Sequence, residues 1–137
     1  GLEGLLRAGD IRLVIENDQT PEGGTLAPLL RFFQAVARQG APVGMAFDMA
    51  NWHWLGENKA QAVAQLAPFV DYIHVKASRE HGGKVHAVAL DEAPDTWAPL
   101  LPQLPVTVPR GIESPLQGDD LAAVTRGYVT RLRSPAG

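Results

Sequence analysis

Four side chains of metal-binding type, Glu16, Asp48, His74 and Glu113, each stand at or near the end of a short apolar run: IRLVIE, VGMAFD, VDYIHVK and VTVPRGIE. They follow one another at intervals of 32, 26 and 39 residues, each about the length of one strand–helix unit in a parallel α/β fold. Strand ends repeated at that interval bring the four groups side by side on one rim. Three carboxylates and an imidazole make a hard oxygen and nitrogen donor set, suited to Mn²⁺, Mg²⁺, Co²⁺ or Zn²⁺. Without a dication, clustered carboxylates repel and raise one another's pKa. A single aspartate at a strand end more often caps a helix or forms a turn; the repetition favours a site.

The elements that must position these groups can be read in order. The helical turns of LEGLLRAG end at Gly9, and Ile11–Glu16 forms the first strand. NDQTPEGG is a polar loop. Thr25 is placed to cap a helix with Leu26, Leu29, Leu30, Phe33 and Ala37 on one face, ended by Gly40. Val43–Asp48 is the second strand, with bulky Val43, Met45 and Phe47 alternating with small Gly44 and Ala46. A second helix carries Ala60, Val63, Ala64 and Ala67 as its apolar stripe and stops near Pro68. The third strand runs from Val70 to Lys76. Residues 77–93 form the longest irregular stretch, broken at Gly82-Gly83, with an extended piece over Val85–Leu90; loops of that length are often functional. Asp95 caps a short helix containing Trp97, Leu100 and Leu101. The fourth strand, Val106–Glu113, carries Pro109, which predicts a bulge or an early end. Asp119–Arg133 is the last helix, with Leu121, Val124, Tyr128 and Leu132 on one side.

Strand then helix, four times over, describes a single α/β domain over residues 1–137: half of a (β/α)₈ barrel, or a four-stranded open parallel sheet. A flavodoxin-like sheet is disfavoured because no Gly-rich phosphate loop follows the first strand. Small residues at Gly44, Ala46 and Gly111 suit a crowded barrel interior. An isolated half barrel leaves two parallel edges unpaired, so the expected partner is a missing N-terminal half or another copy of the chain.

Composition narrows the function classes. In 137 residues, 45% of them apolar, there is material for one core. The formal net charge is −3 with both signs interspersed, without the basic footprint of a nucleic-acid binder. No cysteine is present, which leaves oxygen and imidazole as the metal donors. No apolar run approaches the roughly 20 residues of a membrane span and no signal-peptide pattern opens the chain. The expectation is a soluble, cytoplasmic protein.

The pieces IEN at Glu16, FDMANW at Asp48, YIHVKA at His74 and RGIESPLQGDD at Glu113 together resemble the xylose isomerase-like TIM-barrel superfamily of sugar isomerases and epimerases. The resemblance spans nearly the whole chain and implies the C-terminal half of such a barrel. It implies that Glu16, Asp48, His74 and Glu113 bind a divalent metal, and that Glu16 and Glu113 are also the catalytic acid/base pair. The substrate it implies is a sugar or sugar phosphate. Proton abstraction next to a carbonyl is the difficult step, and a metal-polarised carbonyl with a carboxylate base suits it.

Among substrate-binding candidates, Asn51 stands where epimerases of that family often carry a histidine, and His53 lies two residues further on. Trp52 and Trp54 offer an apolar wall for a sugar ring. Lys76 shares a strand face with His74 by period two and could bind a hydroxyl, carboxylate or phosphate, or form a salt bridge to Asp71. Arg79 is of the same kind. Trp97 is assigned to packing, His81 to solvent, and Asp18, Asp91 and Glu92 to turns. Asn51 and the acidic balance argue against a DNA-cleaving relative with three metals, although His86 resembles one of its further ligands. The rival class is a degenerate barrel fragment that binds a metal or metabolite without turnover.

Overall fold

The computed structural model describes residues 12–133 together with Gly1 and Gly4; the turns expected to end at Gly9, and Ile11 of the first strand, lie outside the described residues. The elements are β1 (Leu13–Glu16), α1 (Pro21–Gly24), α2 (Leu26–Gln39), β2 (Val43–Asp48), α3 (Lys59–Leu66), β3 (Val70–Val75), β4 (Ala77–His81), β5 (Lys84–Val88), β6 (Arg110–Ile112) and α4 (Leu121–Arg133). Single 3₁₀ turns occupy Asn51–Leu55, Ala67–Phe69, Pro94–Thr96 and Leu101–Gln103.

Four strands pair in parallel in the order β1-β2-β3-β6, and β4 pairs β5 antiparallel. Each parallel strand is added on the same side of its predecessor, so the sheet lacks the reversal of order that marks a doubly wound fold. The parallel α/β reading therefore stands, as a sheet with free edges at β1 and β6 among the described residues.

One face of the sheet carries the core. Met45, Phe47, Ile73 and Val75 are buried on it against Leu26, Leu29 and Phe33 of α2, Val63 and Leu66 of α3, and Tyr128 and Leu132 of α4. Phe33 stacks on Phe69 with ring centroids 5.8 Å apart. α2 ends at Gly40 with φ +62, as a left-handed C-cap. Its start differs from expectation: Thr25 occupies the cap position, but its hydroxyl donates to the Pro21 carbonyl. The Leu26 N–H donates instead to Glu57 Oε1 at 3.1 Å, tying α2 to the segment after β2.

The buried stripe of α3 is Ala62, Val63 and Leu66, while Ala60 and Ala64 face solvent. Val63 and Leu66 take the core together with Ala62, and the two alanines left outside cost little by their exposure. Leu121 of α4 is likewise exposed. The fourth strand is short: it begins only at Arg110, immediately after Pro109, so in place of the expected bulge or early end at the proline the strand starts late, beyond the residue that lacks an N–H. Beside this edge lies a groove of about 760 Å³ lined by Val106, Val108, Ile112, Val129 and Leu132 among others; none of the four metal-type residues lines it.

The third unit departs most from expectation. Residues 77–93, read as largely irregular, contain the β4–β5 hairpin, and the helix expected over 95–101 is replaced by two 3₁₀ turns. Gly82 and Gly83 adopt φ +59 and +73, the positive-φ pair of a tight hairpin turn. A Cβ at Gly83 would meet nothing within 4 Å, so the penalty of a side chain there is purely conformational. Gly83→Ala is expected to lower the unfolding free energy by about 1 kcal/mol. Gly127→Ala, on the exposed face of α4 and equally unobstructed, is expected to raise it by about 0.5–1 kcal/mol. Urea denaturation of the two variants checks the contrast, and equal signs would refute it.

Candidate metal centre

Strand alternation sends the four ligand-type side chains to the face opposite the core. Asp48 ends β2 and pairs in register with His74 of β3, and His74 pairs with Gly111 of β6. A bulge adjusts the register: Met45 pairs with Val70 and Ala46 with Tyr72, leaving Asp71 as the extra residue. Val70 can therefore enter the core while Tyr72, two residues on, lies on the site face with its ring edge-on to His74, centroids 5.2 Å apart.

The small residues on this face make room for neighbours within the sheet. A Cβ at Gly44 would lie 1.8 Å from Asp71 Oδ2, and one at Gly111 2.4 Å from the Tyr72 hydroxyl. Asp71 is held by Arg12, whose Nε and Nη2 donate to it at 2.9 and 2.8 Å. Of the alternatives for Lys76, the salt bridge to Asp71 is thus not formed.

Glu16, Asp48, His74 and Glu113 come together: one ligand atom from each lies within 4.8 Å of all the others. His74 Nδ1 is 2.9 Å from Glu16 Oε1 and 2.9 Å from Glu113 Oε2. A ring nitrogen carries at most one hydrogen, so it cannot fully satisfy both carboxylates. Separations near 3 Å are also those of neighbouring donors around a cation with bonds of about 2.1 Å. Lys76 Nζ donates to Glu113 Oε1 at 3.0 Å and to Asn51 Oδ1 at 3.1 Å, and lies 3.5 Å from Asp48 Oδ2. Its ammonium offsets part of the cluster's negative charge. Burial pulls Lys76 toward deprotonation, but Asp48 and Glu113 outweigh it and hold the ammonium above its ordinary range.

Asp48 is the buried member, with no solvent exposure. Its Oδ1 accepts from the Ala50 and Asn51 N–H groups at 2.8 and 2.7 Å. Its Oδ2 is buried without a hydrogen-bond partner. An orphaned buried carboxylate oxygen beside two carboxylates and an imidazole fits a divalent cation held by these four residues.

Burial lifts the Asp48 pKa from 3.8 to about 6, against the opposing pull of Lys76 and of the Asn51 and Ala50 N–H groups, with Glu113 adding to the rise. Because the folded value exceeds the unfolded one, the protonated form favours folding. That contribution is full below the unfolded pKa of 3.8 and lost as pH rises through about 6. In EDTA the protein is expected to lose up to about 3 kcal/mol from this group between pH 4 and pH 7. Asp48→Asn should lack that component, and urea denaturation across the pH range measures it. A wild-type profile matching the variant's would remove the assignment.

Of the substrate-binding candidates, Asn51 and Lys76 are at the centre. Asn51 Oδ1 accepts from Lys76 and from Gln19 Nε2 at 3.0 Å, and its Nδ2 donates to the Asn17 carbonyl at 2.9 Å. The Lys76 ammonium lies 5.8 Å from the Trp54 ring centroid. His53 is one step removed, its Nδ1 2.9 Å from Ser78 Oγ. Arg79 is directed elsewhere: it hydrogen-bonds the Glu92 carbonyl and lies 3.8 Å from Asp95. Trp52 is not a sugar wall, because the 3₁₀ turn buries it in the core against Phe47. Trp97 is in the core with Nε1 donating to the Leu90 carbonyl, and His81 and His86 are exposed on the hairpin. Asp18 and Glu92 accept local turn hydrogen bonds, and Asp91 pairs with Arg131.

Sequence reasoning missed Asn17 and Ser114. Asn17 is fully buried; its Nδ2 donates to the Asp48 carbonyl at 3.1 Å and its Oδ1 accepts from the Asp48 N–H at 2.8 Å. It thereby stitches the end of β1 to the end of β2 beside two ligands. Ser114 Oγ accepts from the Ala77 N–H at 2.8 Å, fixing the residue after Glu113. An asparagine following a strand-end glutamate was the only available signal, and such a residue ordinarily marks a turn.

Among the described residues no helix is long and apolar enough to cross a membrane. Compared with models of known protein families and with curated proteins, the chain matches none.

Proposed function

We propose that this chain carries the catalytic half of a divalent-metal-dependent sugar or sugar phosphate isomerase or epimerase with a xylose isomerase-like barrel. The observation that carries the reading is the convergence, within 4.8 Å, of Glu16, Asp48, His74 and Glu113 from the ends of four successive parallel strands. A divalent cation bound there would polarise a carbonyl and offset the charge that develops as its neighbouring carbon is deprotonated.

The chain's own residues supply the remaining chemistry. Glu16 and Glu113 come from the two outer strands and flank His74, placing one carboxylate on either side of a substrate. One carboxylate takes the proton from the carbon next to the carbonyl, as the C–H electron pair becomes a carbon–carbon double bond and charge passes to the carbonyl oxygen. Return of that proton to the former carbonyl carbon, with the hydroxyl proton of the deprotonated carbon passing to the old carbonyl oxygen, gives isomerisation; delivery of a proton from the opposite carboxylate to the other face of the deprotonated carbon gives epimerisation. Lys76, already donating to Glu113, can donate to a substrate oxygen and hold it in place. The free edges of β1 and β6 support four further strand–helix units completing the barrel, from a longer chain or a partner.

Asn51 favours a second reading, metal or metabolite binding without turnover. Where the resembling epimerases place a substrate-contacting histidine, this side chain is a structural cross-link between Gln19, Asn17 and Lys76. The two readings separate in D₂O. The chain with Mn²⁺ is incubated with aldoses, ketoses and their phosphates, and NMR follows replacement of the hydrogen next to the carbonyl. Metal-dependent exchange is expected. Binding of metal or of a sugar by native mass spectrometry without exchange would favour the second reading, absence of metal binding would overturn the first, and absence of binding of either would overturn both.

A further inference from the structure

Lys59, the first residue of α3, has its ammonium in an unusual position. It is half-buried, and among the described residues its Nζ has no carboxylate within ion-pair distance; its hydrogen-bond partner is Ser78 Oγ at 3.5 Å. A cation at a helix start opposes the helix dipole, so the placement does not serve the stability of α3. Burial lowers its pKa, against the opposing pull of Asp48 and Asp95.

Ser78 opens the β4–β5 hairpin and has no solvent exposure. An ammonium can only donate, so Ser78 Oγ accepts from Lys59; His53 Nδ1 lies 2.9 Å from the same oxygen, and in one of the two imidazole tautomers the Ser78 hydroxyl donates to it. That tautomer places the imidazole hydrogen on Nε2, as a donor directed away from Ser78. The Trp54 ring joins this trio to the metal centre: it meets His53 edge-on with centroids 6.5 Å apart and lies 5.8 Å from the Lys76 ammonium. Lys76 in turn contacts Glu113 and Asp48.

We infer that Lys59, Ser78 and His53 form an anion subsite beside Trp54, which holds the acidic end of the substrate while its carbonyl end lies among the four ligands. The cation is supplied by Lys59, a neutral donor by His53 Nε2, and the order between them by Ser78. The substrate is accordingly a sugar bearing a phosphate ester or a carboxylate rather than a neutral sugar. This role rests on the isomerase reading, but anion binding does not need it.

The test is therefore made in EDTA, without sugar or turnover. Inorganic phosphate and, separately, acetate are titrated into the chain while NMR follows the His53 ring and Lys59 side-chain resonances. A saturable shift of both groups is expected. Lys59→Met should weaken binding about tenfold, and His53→Gln should weaken it less. Preference for phosphate assigns the phosphate ester, and preference for acetate the carboxylate. No saturable shift with either anion, or an affinity unaltered in both Lys59→Met and His53→Gln, would overturn the subsite. Anion binding that persists in a chain failing to bind Mn²⁺ would support the subsite while removing the isomerase reading.

Discussion

Under the proposed isomerase reading, Glu113→Gln is expected to reduce metal-dependent turnover of a sugar or sugar phosphate by at least about 10³-fold while leaving the fold in place. The substitution keeps the shape of the side chain and removes the charge that takes the proton. It also removes one of the two carboxylates facing His74 Nδ1 and takes the charge from the 3.0 Å partner of Lys76, leaving an amide oxygen that can still accept. Lys76 keeps Asn51 and Asp48. The Glu113 side chain is 43% exposed, so its loss should change the unfolding free energy by no more than about 1 kcal/mol. Steady-state kinetics with Mn²⁺ and urea denaturation separate the two effects. Turnover within a few fold of the wild type would exclude Glu113 as the base.

Asn17→Ala is expected to act in the opposite proportion. It leaves the N–H and the carbonyl of buried Asp48 without their side-chain partners. The loss should destabilise the protein by about 2–4 kcal/mol, a substantial part of the 5–15 kcal/mol typical of a whole domain. Because those two hydrogen bonds orient the main chain of a ligand, Mn²⁺ affinity should also fall by about 10- to 100-fold. Calorimetric titration of metal, at a temperature where the variant remains folded, provides the check. A variant destabilised but binding Mn²⁺ as tightly as the wild type would show that Asn17 supports the fold and not the centre.

Both variants bear on a site whose parts were unequally visible in the sequence. Short apolar runs ending in Glu16, Asp48 and Glu113 and carrying His74, one of them alternating bulky and small residues, placed the ligands at or near strand ends because these patterns are local properties. Parallel pairing then converts equal phase along four strands into proximity, which is why the cluster was legible without tertiary information. The long amphipathic helix at 26–39 and its Gly40 end followed from spacing and from the glycine's tolerance of positive φ.

The hairpin at 77–88 was legible in principle, since Gly82-Gly83 is a two-residue turn signal, but its flanks SREH and KVHAV alternate too weakly to declare strands. Trp52 and Trp54 illustrate the remaining difficulty: two residues apart in one 3₁₀ turn, one is buried against Phe47 and the other meets Lys76 and His53. No local pattern distinguishes them.

By itself, then, the sequence determined the parallel α/β class and the four side chains of the candidate centre, because strand period and chain spacing are encoded residue by residue. Only the tertiary structure decided the bulge at Asp71 that lets Val70 enter the core, the burial of Asp48, the stitch made by Asn17, and the meeting of Lys59, Ser78 and His53. Each of these depends on which groups, distant in sequence, the packing excludes from water, and a buried polar group must find its partners wherever the fold brings them.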